Sequence, residues 1–196
     1  MNKAKEKRPD YLVMVNLDNR LPDGFEDSFE LISVKNEVGA EFRIEKKTYD
    51  AFLRLQKDVL KNDGIQIALL GSYRTVKEQE KIFGSALDEF GMEYTCKYVA
   101  RPGHSEHHTG LAIDVGIVIE GKLLFRREDL LSVDGLFQTV QKKLPEYGFI
   151  LRYPKGGESV TKIAYEPWHY RYIDSPRVAR QITDEGICFE QYLPKA

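Results

Sequence analysis

The chain has 196 residues, of which 42% are hydrophobic and 31% are charged, a composition typical of globular proteins with a buried core. Its 29 lysines and arginines are balanced by 31 aspartates and glutamates, which gives a formal charge of −2. This charge provides no general attraction to nucleic acid or to an anionic membrane, so neither is expected as a partner. No repeat or linker-like stretch divides the sequence, and we expect a single domain over residues 1–196.

The N-terminus begins with the basic sequence MNKAKEKRPD, and the apolar run after it is short and soon followed by charge. A secretory signal needs about 7–15 apolar residues and a membrane helix about 20. We therefore expect no membrane segment and a cytoplasmic location, or a cell-surface location if a leader or anchor has been removed. Cys96 and Cys188 lie far apart and outside any C-x-x-C spacing, so both are expected to be free thiols.

The first half of the chain predicts short extended segments alternating with helices. Tyr11–Asn16 is a short apolar run that predicts a strand or an extended anchoring segment. Apolar residues recur at helical spacing over Lys46–Asn62, before an Asn-Asp-Gly stop signal. Ile65–Leu70 has the length and composition of a strand, and a second amphipathic helix is predicted over Val76–Phe90. Arg74 therefore lies between a strand and a helix, a common place for a functional side chain.

The second half predicts more strand than helix. Gly110–Phe125 alternates as two strands joined across the sequence Glu-Gly-Lys, and Gly135–Tyr147 has a moderate helical pattern. Phe149–Ile173 predicts a strand, a turn at the adjacent glycines 156 and 157, and a second strand. Because strands and helices do not alternate regularly, we expect an α+β fold with a central, mainly antiparallel sheet flanked by helices.

The stretch GHSEHHTGLAID, residues 103–114, contains three of the four histidines of the chain and ends on an aspartate. If Leu111–Asp114 is a strand entered from a turn at Gly110, that turn can fold His107 back over the face that carries Asp114. Imidazole and carboxylate are zinc ligands, and a catalytic zinc site commonly uses three of them. We expect His104 to be a loop residue and His108, in an extended chain, to point away from the metal.

The fourth histidine, His169, lies in the sequence YEPWHYRY and is the candidate third ligand. Glu166, three residues earlier, has the side chain of a general base that takes a proton from water. An offset of three places two side chains on opposite faces of an ideal strand, so this hypothesis requires Pro167 to interrupt the extension. The alternative is a set of surface or buried structural histidines that bind no metal.

These motifs resemble the sequence patterns of a known family. The sequence SEHHTGLAID fits the pattern S-x-H-x-x-G-x-A-x-D, and EPWH fits E-x-W-H, both typical of zinc D-alanyl-D-alanine carboxypeptidases and dipeptidases of the VanY, VanX and VanXY kind. That group shares its metal-site architecture with lysostaphin-type peptidases and the hedgehog signalling domain. The segments GSYRTVKEQ and YGFILRYPKG extend the similarity, which covers a catalytic core of about residues 11–173.

The resemblance implies one catalytic zinc ion, with His107, Asp114 and His169 as its ligands and Glu166 as the catalytic base. It implies Arg74 as the cation that binds or polarises the substrate near the scissile carbonyl group. The implied reaction is hydrolysis of the peptide bond before a terminal D-alanine, in a peptidoglycan stem peptide or in the dipeptide D-Ala-D-Ala.

Ser105 and Gln79 are implied as further substrate contacts. The local sequence leaves alternatives open, namely a helix-capping hydroxyl for Ser105 and a solvated helix face for Gln79. Trp168 and Tyr165 either line the pocket or contribute simple packing.

Two other activities would use the same metal site, those of an L,D-carboxypeptidase and of a cell-wall endopeptidase. They differ from the D,D-peptidase in the pocket beyond the scissile bond, which the sequence does not describe. A zinc-binding module without catalysis is the alternative from another class. Such a module need not retain both Glu166 and Arg74, and this chain has both.

Overall fold

The computed structural model describes residues 10–193 of the chain. The strands of this part are β1 Leu31–Lys35, β2 Glu41–Glu45, β3 Gln66–Gly71, β4 Ala112–Ile119, β5 Lys122–Leu124, β6 Phe149–Leu151 and β7 His169–Tyr172. Its α-helices are α1 Lys46–Asp63, α2 Val76–Tyr98, α3 Arg127–Ser132, α4 Asp134–Gln141, α5 Glu158–Thr161, α6 Pro176–Asp184 and α7 Phe189–Tyr192. Short 3-10 helices lie at Phe25–Ser28, Glu106–Thr109 and Leu144–Tyr147.

The central sheet has the strand order β3-β4-β7-β6, with β5 paired to the distal part of β4. Its strand pairs are all antiparallel, so the expected α+β fold with a mainly antiparallel sheet is confirmed. The predicted hairpin across Glu120 and Gly121 is also present, and both residues have the positive φ that a tight two-residue turn requires. A separate hairpin of β1 and β2 was not predicted.

The main hydrophobic core lies between α1 and the central sheet. In α1 the buried residues recur at helical spacing, and they pack against Ile67 of β3 and Ile113 of β4 in one cluster that includes Ala51, Phe52, Leu55 and Val59. The helix begins at Lys46 and ends at Asp63, and Gly64, with a φ of 68°, provides a left-handed cap. The helix predicted over Lys46–Asn62 is therefore confirmed, because its periodicity and its stop signal agree.

The strand alternative for Tyr11–Asn16 is wrong. The segment is irregular, and the backbone carbonyl groups of Tyr11 and Val13 each accept a hydrogen bond of 3.0 Å from the Arg171 guanidinium. Val15 is completely buried. A side chain from β7 thus satisfies the carbonyl groups that a ladder would otherwise use, and the segment acts as an extended anchor.

Three other predicted elements differ in extent from the structure. The helix α2 continues beyond Phe90 to Tyr98, with a kink at Gly91, whose φ and ψ are 79° and 172°. The region predicted as one helix over Gly135–Tyr147 is divided into α4 and a 3-10 helix, because Pro145 lacks the N–H that a continuous helix needs. Between β6 and β7 the expected turn also contains the short helix α5.

Cys96 and Cys188 are both free. Within residues 10–193, no helix combines the length and the apolar character needed to cross a bilayer. The basic residues 1–9 at the N-terminus lie outside the described part.

The α1 helix offers a direct test of the core. Leu55 is fully buried, whereas Leu53 in the same helix is 40% exposed. We expect Leu55→Ala to lower the free energy of unfolding by about 2–5 kcal/mol, since it removes buried methyl groups and leaves a cavity. Leu53→Ala, which has the same effect on helix propensity, should cost less than about 1 kcal/mol. If urea denaturation gave the same decrease in the free energy of unfolding for both variants, the assignment of Leu55 to the buried face of α1 would be contradicted.

Candidate active site

Two of the predicted ligands are partners across the central sheet. Asp114 in β4 lies directly opposite His169 in β7. Cross-strand partners in an antiparallel pair project from the same face of the sheet, and Nδ1 of His169 lies 2.9 Å from Oδ1 of Asp114. The strand register therefore joins two residues that are 55 positions apart in the sequence.

His107 reaches the same point from a 3-10 helix. This helix ends at Thr109, and the next residue, Gly110, has a φ of 70° that turns the chain back into β4. Nε2 of His107 lies 3.1 Å from Oδ2 of Asp114. Nδ1 of His107 lies 2.7 Å from the carbonyl oxygen of Ser72. Because a carbonyl oxygen only accepts, Nδ1 carries the proton and Nε2 presents its lone pair to the site.

The three donors fit a zinc ion. One ligand atom from each of His107, Asp114 and His169 lies within 4.8 Å of the others, and all three belong to residue types that catalytic zinc uses. Burial and the charge of Arg74 lower the pKa of His107 to about 4, so its ring is neutral, as a ligand must be. Burial raises the pKa of Asp114, but contacts with both histidines outweigh it and hold that pKa well below its ordinary value.

The pKa of His169 is raised, whereas the pKa values of the other two candidate ligands are lowered. Burial lowers the pKa of this ring, but the hydrogen bond with Asp114 and the nearby carboxylate of Glu106 outweigh the effect and raise the pKa to about 9. A cation that binds to Nδ1 therefore replaces a proton, as metal binding to histidine generally does.

Glu166 lies beside the three candidate ligands. The backbone N–H of His169 donates to the carbonyl oxygen of Glu166 at 3.2 Å, which closes a turn through Pro167 and Trp168. The interruption of the strand at Pro167, which the hypothesis for Glu166 required, is thus present. As a result, Oε2 of Glu166 comes within 4.0 Å of Nδ1 of His169. Burial raises the pKa of Glu166 to about 7, a value suited to a carboxyl group that accepts and returns a proton.

Arg74 faces the candidate ligands from the loop between β3 and α2. Its Nη2 donates to Oδ2 of Asp114 at 2.9 Å, and its Nη1 donates to Oε1 of Gln79 at 3.1 Å. Its backbone N–H donates to the carbonyl oxygen of His107 at 3.1 Å. The guanidinium is therefore fixed at two nitrogens, and a quarter of the side chain remains exposed.

The other two histidines lie outside the ligand set, as expected. His104 contacts the carbonyl oxygen of Asn16 through Nδ1 at 2.8 Å. His108 lies in a helical turn rather than an extended chain, so the reason given for its orientation was wrong. Its Nδ1 lies 2.7 Å from the carbonyl oxygen of Arg74, and its Nε2 accepts from the N–H of Gly103 at 3.1 Å. His108 thus holds the backbone that carries Arg74.

Gln79 and Ser105 both line the cavity in front of the ligands. Gln79 is only 1% exposed, so the solvated alternative is wrong. Its amide nitrogen donates to the carbonyl oxygen of Ala100 at 2.8 Å, while its oxygen accepts from Arg74. Ser105 accepts from the N–H of His107 at 3.3 Å, which matches the capping alternative. Direct contact of either residue with a substrate remains a proposal.

The cavity has a volume of about 140 Å³, and aromatic side chains form part of its wall. Trp168, named from the sequence, contributes to this wall, as do Tyr98 and Tyr153, which were missed. Tyr98 was missed because α2 was expected to end earlier, and no local pattern marks Tyr153. Tyr165 donates its hydroxyl to Asp134, away from the ligands.

A largely buried His-Asp-His cluster with a carboxylic acid and an arginine beside it fits the class of zinc-dependent hydrolases. The comparison with protein families gives the same class. The VanY family, described as D-alanyl-D-alanine carboxypeptidase, matches residues 41–175, and the chain belongs to this family.

Individual relatives extend the comparison. The chain is 39% identical over 130 residues to the bifunctional D-Ala-D-Ala dipeptidase and D-Ala-D-Ala carboxypeptidase VanXYC of Enterococcus gallinarum, with 64% of this chain and 65% of that protein covered. The chain spans about two thirds of the length of the first curated relatives it matches.

Two solved structures share the fold. A mutant of the vancomycin-resistance D,D-pentapeptidase VanY in complex with Zn(II) is 27% identical, with a TM-score of 0.74 and 94% of this chain and 99% of that chain covered. The LD-carboxypeptidase LdcB is 33% identical, with a TM-score of 0.77 and 93% and 85% covered.

Gly71 provides a test of the site geometry, because it pairs with Asp114 across β3 and β4. A Cβ added at Gly71 would lie 2.5 Å from Oδ2 of Asp114. We expect Gly71→Ala to displace this carboxylate and weaken zinc binding by about tenfold or more, measured by competition with a chelator. A Cβ added at Gly84 in α2 meets nothing within 4 Å, so Gly84→Ala is the matched control. Zinc affinity equal to wild type in both variants would contradict the geometry.

Proposed function

We propose that this chain is a zinc peptidase that removes a C-terminal D-alanine from peptidoglycan precursor peptides, hydrolyses the dipeptide D-Ala-D-Ala, or does both. The observation that carries the proposal is the convergence of His107, Asp114 and His169 within 4.8 Å, with Glu166 beside them. Membership of the VanY family supports the reaction type. The named dipeptidase and carboxypeptidase activities of the Enterococcus gallinarum relative support the substrate class.

We assign one zinc ion to the two imidazoles and the carboxylate. When bound, zinc lowers the pKa of a coordinated water molecule toward about 7 and polarises a carbonyl group. We assign proton transfer and the binding of the substrate to protein groups that face the candidate zinc ligands.

Glu166 is the proposed general base and then the general acid. Its carboxylate accepts the proton of the attacking water and later gives it to the leaving amine, so one residue serves both halves of the proton transfer. Burial raises the pKa of Glu166 to about 7, so at neutral pH the side chain can both accept and return a proton. Of the acidic side chains that line the cavity, Asp114 is held ionised by its histidine neighbours, which leaves Glu166 for this role.

Arg74 is the proposed electrophilic group. Its guanidinium is permanently charged, and Gln79 and Asp114 hold it in a fixed orientation at the cavity wall. A donor of this kind that faces the developing oxyanion contributes about 3–4 kcal/mol by analogy with known oxyanion holes. We assign Gln79 to the positioning of Arg74, and Ser105 to substrate contact through the hydrogen of its hydroxyl group.

A second candidate function is that of an L,D-carboxypeptidase, which the similarity to LdcB favours. The two activities share the proposed zinc chemistry and differ in the residue that precedes the scissile bond.

A substrate panel separates these activities. Zinc-loaded protein is incubated with D-Ala-D-Ala, a muramyl tetrapeptide and a muramyl pentapeptide, and released D-alanine is quantified. We expect release from the pentapeptide, the dipeptide or both, and none from the tetrapeptide. Release from the tetrapeptide alone would contradict the D,D-specificity and support the L,D-activity. The absence of any product from zinc-loaded protein would favour the non-catalytic binding module.

The variant Glu166→Gln tests the proton transfer. It preserves the size of the side chain but removes the base, so we expect turnover to fall by about 10²–10⁴-fold while one zinc ion per chain is retained. The control is Glu158→Gln, which makes the same change at an exposed position in α5 and should leave turnover unchanged. Wild-type turnover in Glu166→Gln would remove this residue from the mechanism.

A further inference from the structure

Glu106, which precedes the ligand His107, is completely buried and has no part in the proposed proton transfer. Its Oε1 accepts hydrogen bonds from Nε of Arg152 at 2.8 Å and from Nη1 of Arg171 at 2.9 Å. Arg152 also forms a bidentate ion pair with Glu190, in which Nη1 donates to Oε2 at 2.9 Å and Nη2 donates to Oε1 at 2.6 Å. Two arginines and two glutamates therefore form a charge-balanced cluster behind the candidate ligands.

Stability alone does not account for this cluster. Removing charged groups from water is costly, and well-packed apolar residues often stabilise a core as well as a buried ion pair does. Arg171 has a second task, since it also binds the carbonyl groups of Tyr11 and Val13. Glu106 has no such second partner within the described residues, because its Oε2 makes no hydrogen bond.

The free oxygen of Glu106 faces the third ligand. Oε2 of Glu106 lies 3.7 Å from Nε2 of His169, and both atoms are buried without a hydrogen-bond partner among the described residues. Buried polar atoms are normally paired. A movement of about 0.8 Å would bring these two to an ordinary hydrogen-bond length. Two unpaired groups of complementary type thus lie opposite each other, next to the proposed zinc site.

The chemistry of imidazole connects the two sides of His169. A neutral ring carries one proton, on either Nδ1 or Nε2. Nδ1 faces Asp114 at 2.9 Å, so it is the nitrogen on the side of the other ligands. When Nδ1 acts as a ligand, the proton lies on Nε2 and needs an acceptor. Glu106 offers a carboxylate oxygen there, and its other oxygen is held by hydrogen bonds from Arg152 and Arg171.

We propose that Glu106 is a positioning residue for the metal site, which accepts the Nε2–H of His169 and holds the ring in the tautomer that presents Nδ1 to the cation. Arg152 and Arg171 hold the carboxylate in place by occupying its other oxygen. The inference rests on the proposed zinc site but not on the proposed substrate, because it concerns metal binding in the absence of peptide.

The variant Glu106→Gln tests this role. The two arginines require an acceptor, so the amide oxygen takes their side and the amide NH₂ faces Nε2 of His169. A donor at that position favours the opposite tautomer, with the proton on Nδ1. We expect zinc affinity to fall by about 10–100-fold, measured by competition with a chromogenic chelator on protein whose folding is verified by its melting temperature.

Glu190→Gln is the matched control. It removes the same charge from the same cluster through its contact with Arg152, but its contacts do not include His169. Because Glu190 is not a partner of a candidate ligand, the zinc affinity of this variant should stay within about threefold of wild type. Loss of a residue that does contact a ligand changes the affinity by about tenfold or more. Wild-type affinity in Glu106→Gln, or an equal loss in both variants, overturns the inference.

The wild-type protein provides a second measurement if Glu106→Gln does not fold. In ¹⁵N-resolved spectra of zinc-loaded protein, the Nε2–H of His169 should resonate downfield and exchange slowly. The Nδ1–H of His107, which donates to the carbonyl oxygen of Ser72, is the internal reference. A His169 ring proton without a downfield shift overturns the inference. Wild-type protein that binds no zinc would instead overturn the zinc site itself.

Discussion

The antiparallel pairing of β4 with β7 is the constraint on which the site depends. It places Asp114 opposite His169, and a slip of one residue would turn the carboxylate to the other face of the sheet. The register is held by buried neighbours such as Ile113 and Tyr170, which are partners in the same ladder and belong to the main core. Core packing and ligand geometry are therefore set by the same strand pairing.

The parts of the fold that the sequence predicted are those with a strong local signal. The helix α1 has unbroken periodicity and a clear stop, and the β4–β5 hairpin has alternation around a turn dipeptide. The candidate ligand His107 could be placed near Asp114 for the same reason, because a single turn at Gly110 separates the two. For Glu166 the prediction depended on one local feature, the interruption at Pro167 that brings its side chain near His169, and the structure contains it.

The parts that were missed depend on contacts between distant residues. Glu106 and Arg152 are 46 positions apart, and an ion pair of this kind leaves no periodic trace in either segment. Tyr11–Asn16 has the composition of a strand, but Arg171 binds its carbonyl groups in place of a neighbouring strand. Gln79, which only the family resemblance named, lies on an amphipathic helix where polar residues usually face solvent, yet its amide is buried against Arg74. In each case tertiary contacts outweighed the local pattern.

The central claim is that two imidazoles and one carboxylate converge on a single zinc ion. X-ray absorption spectroscopy of the zinc-loaded protein tests it most directly, because it reports the ligand atoms around the metal. We predict one zinc ion per chain, two imidazole nitrogens at about 2.0–2.1 Å and otherwise oxygen ligands only. A sulfur shell at about 2.3 Å, or the same spectrum after His169 is replaced by alanine, would contradict the account.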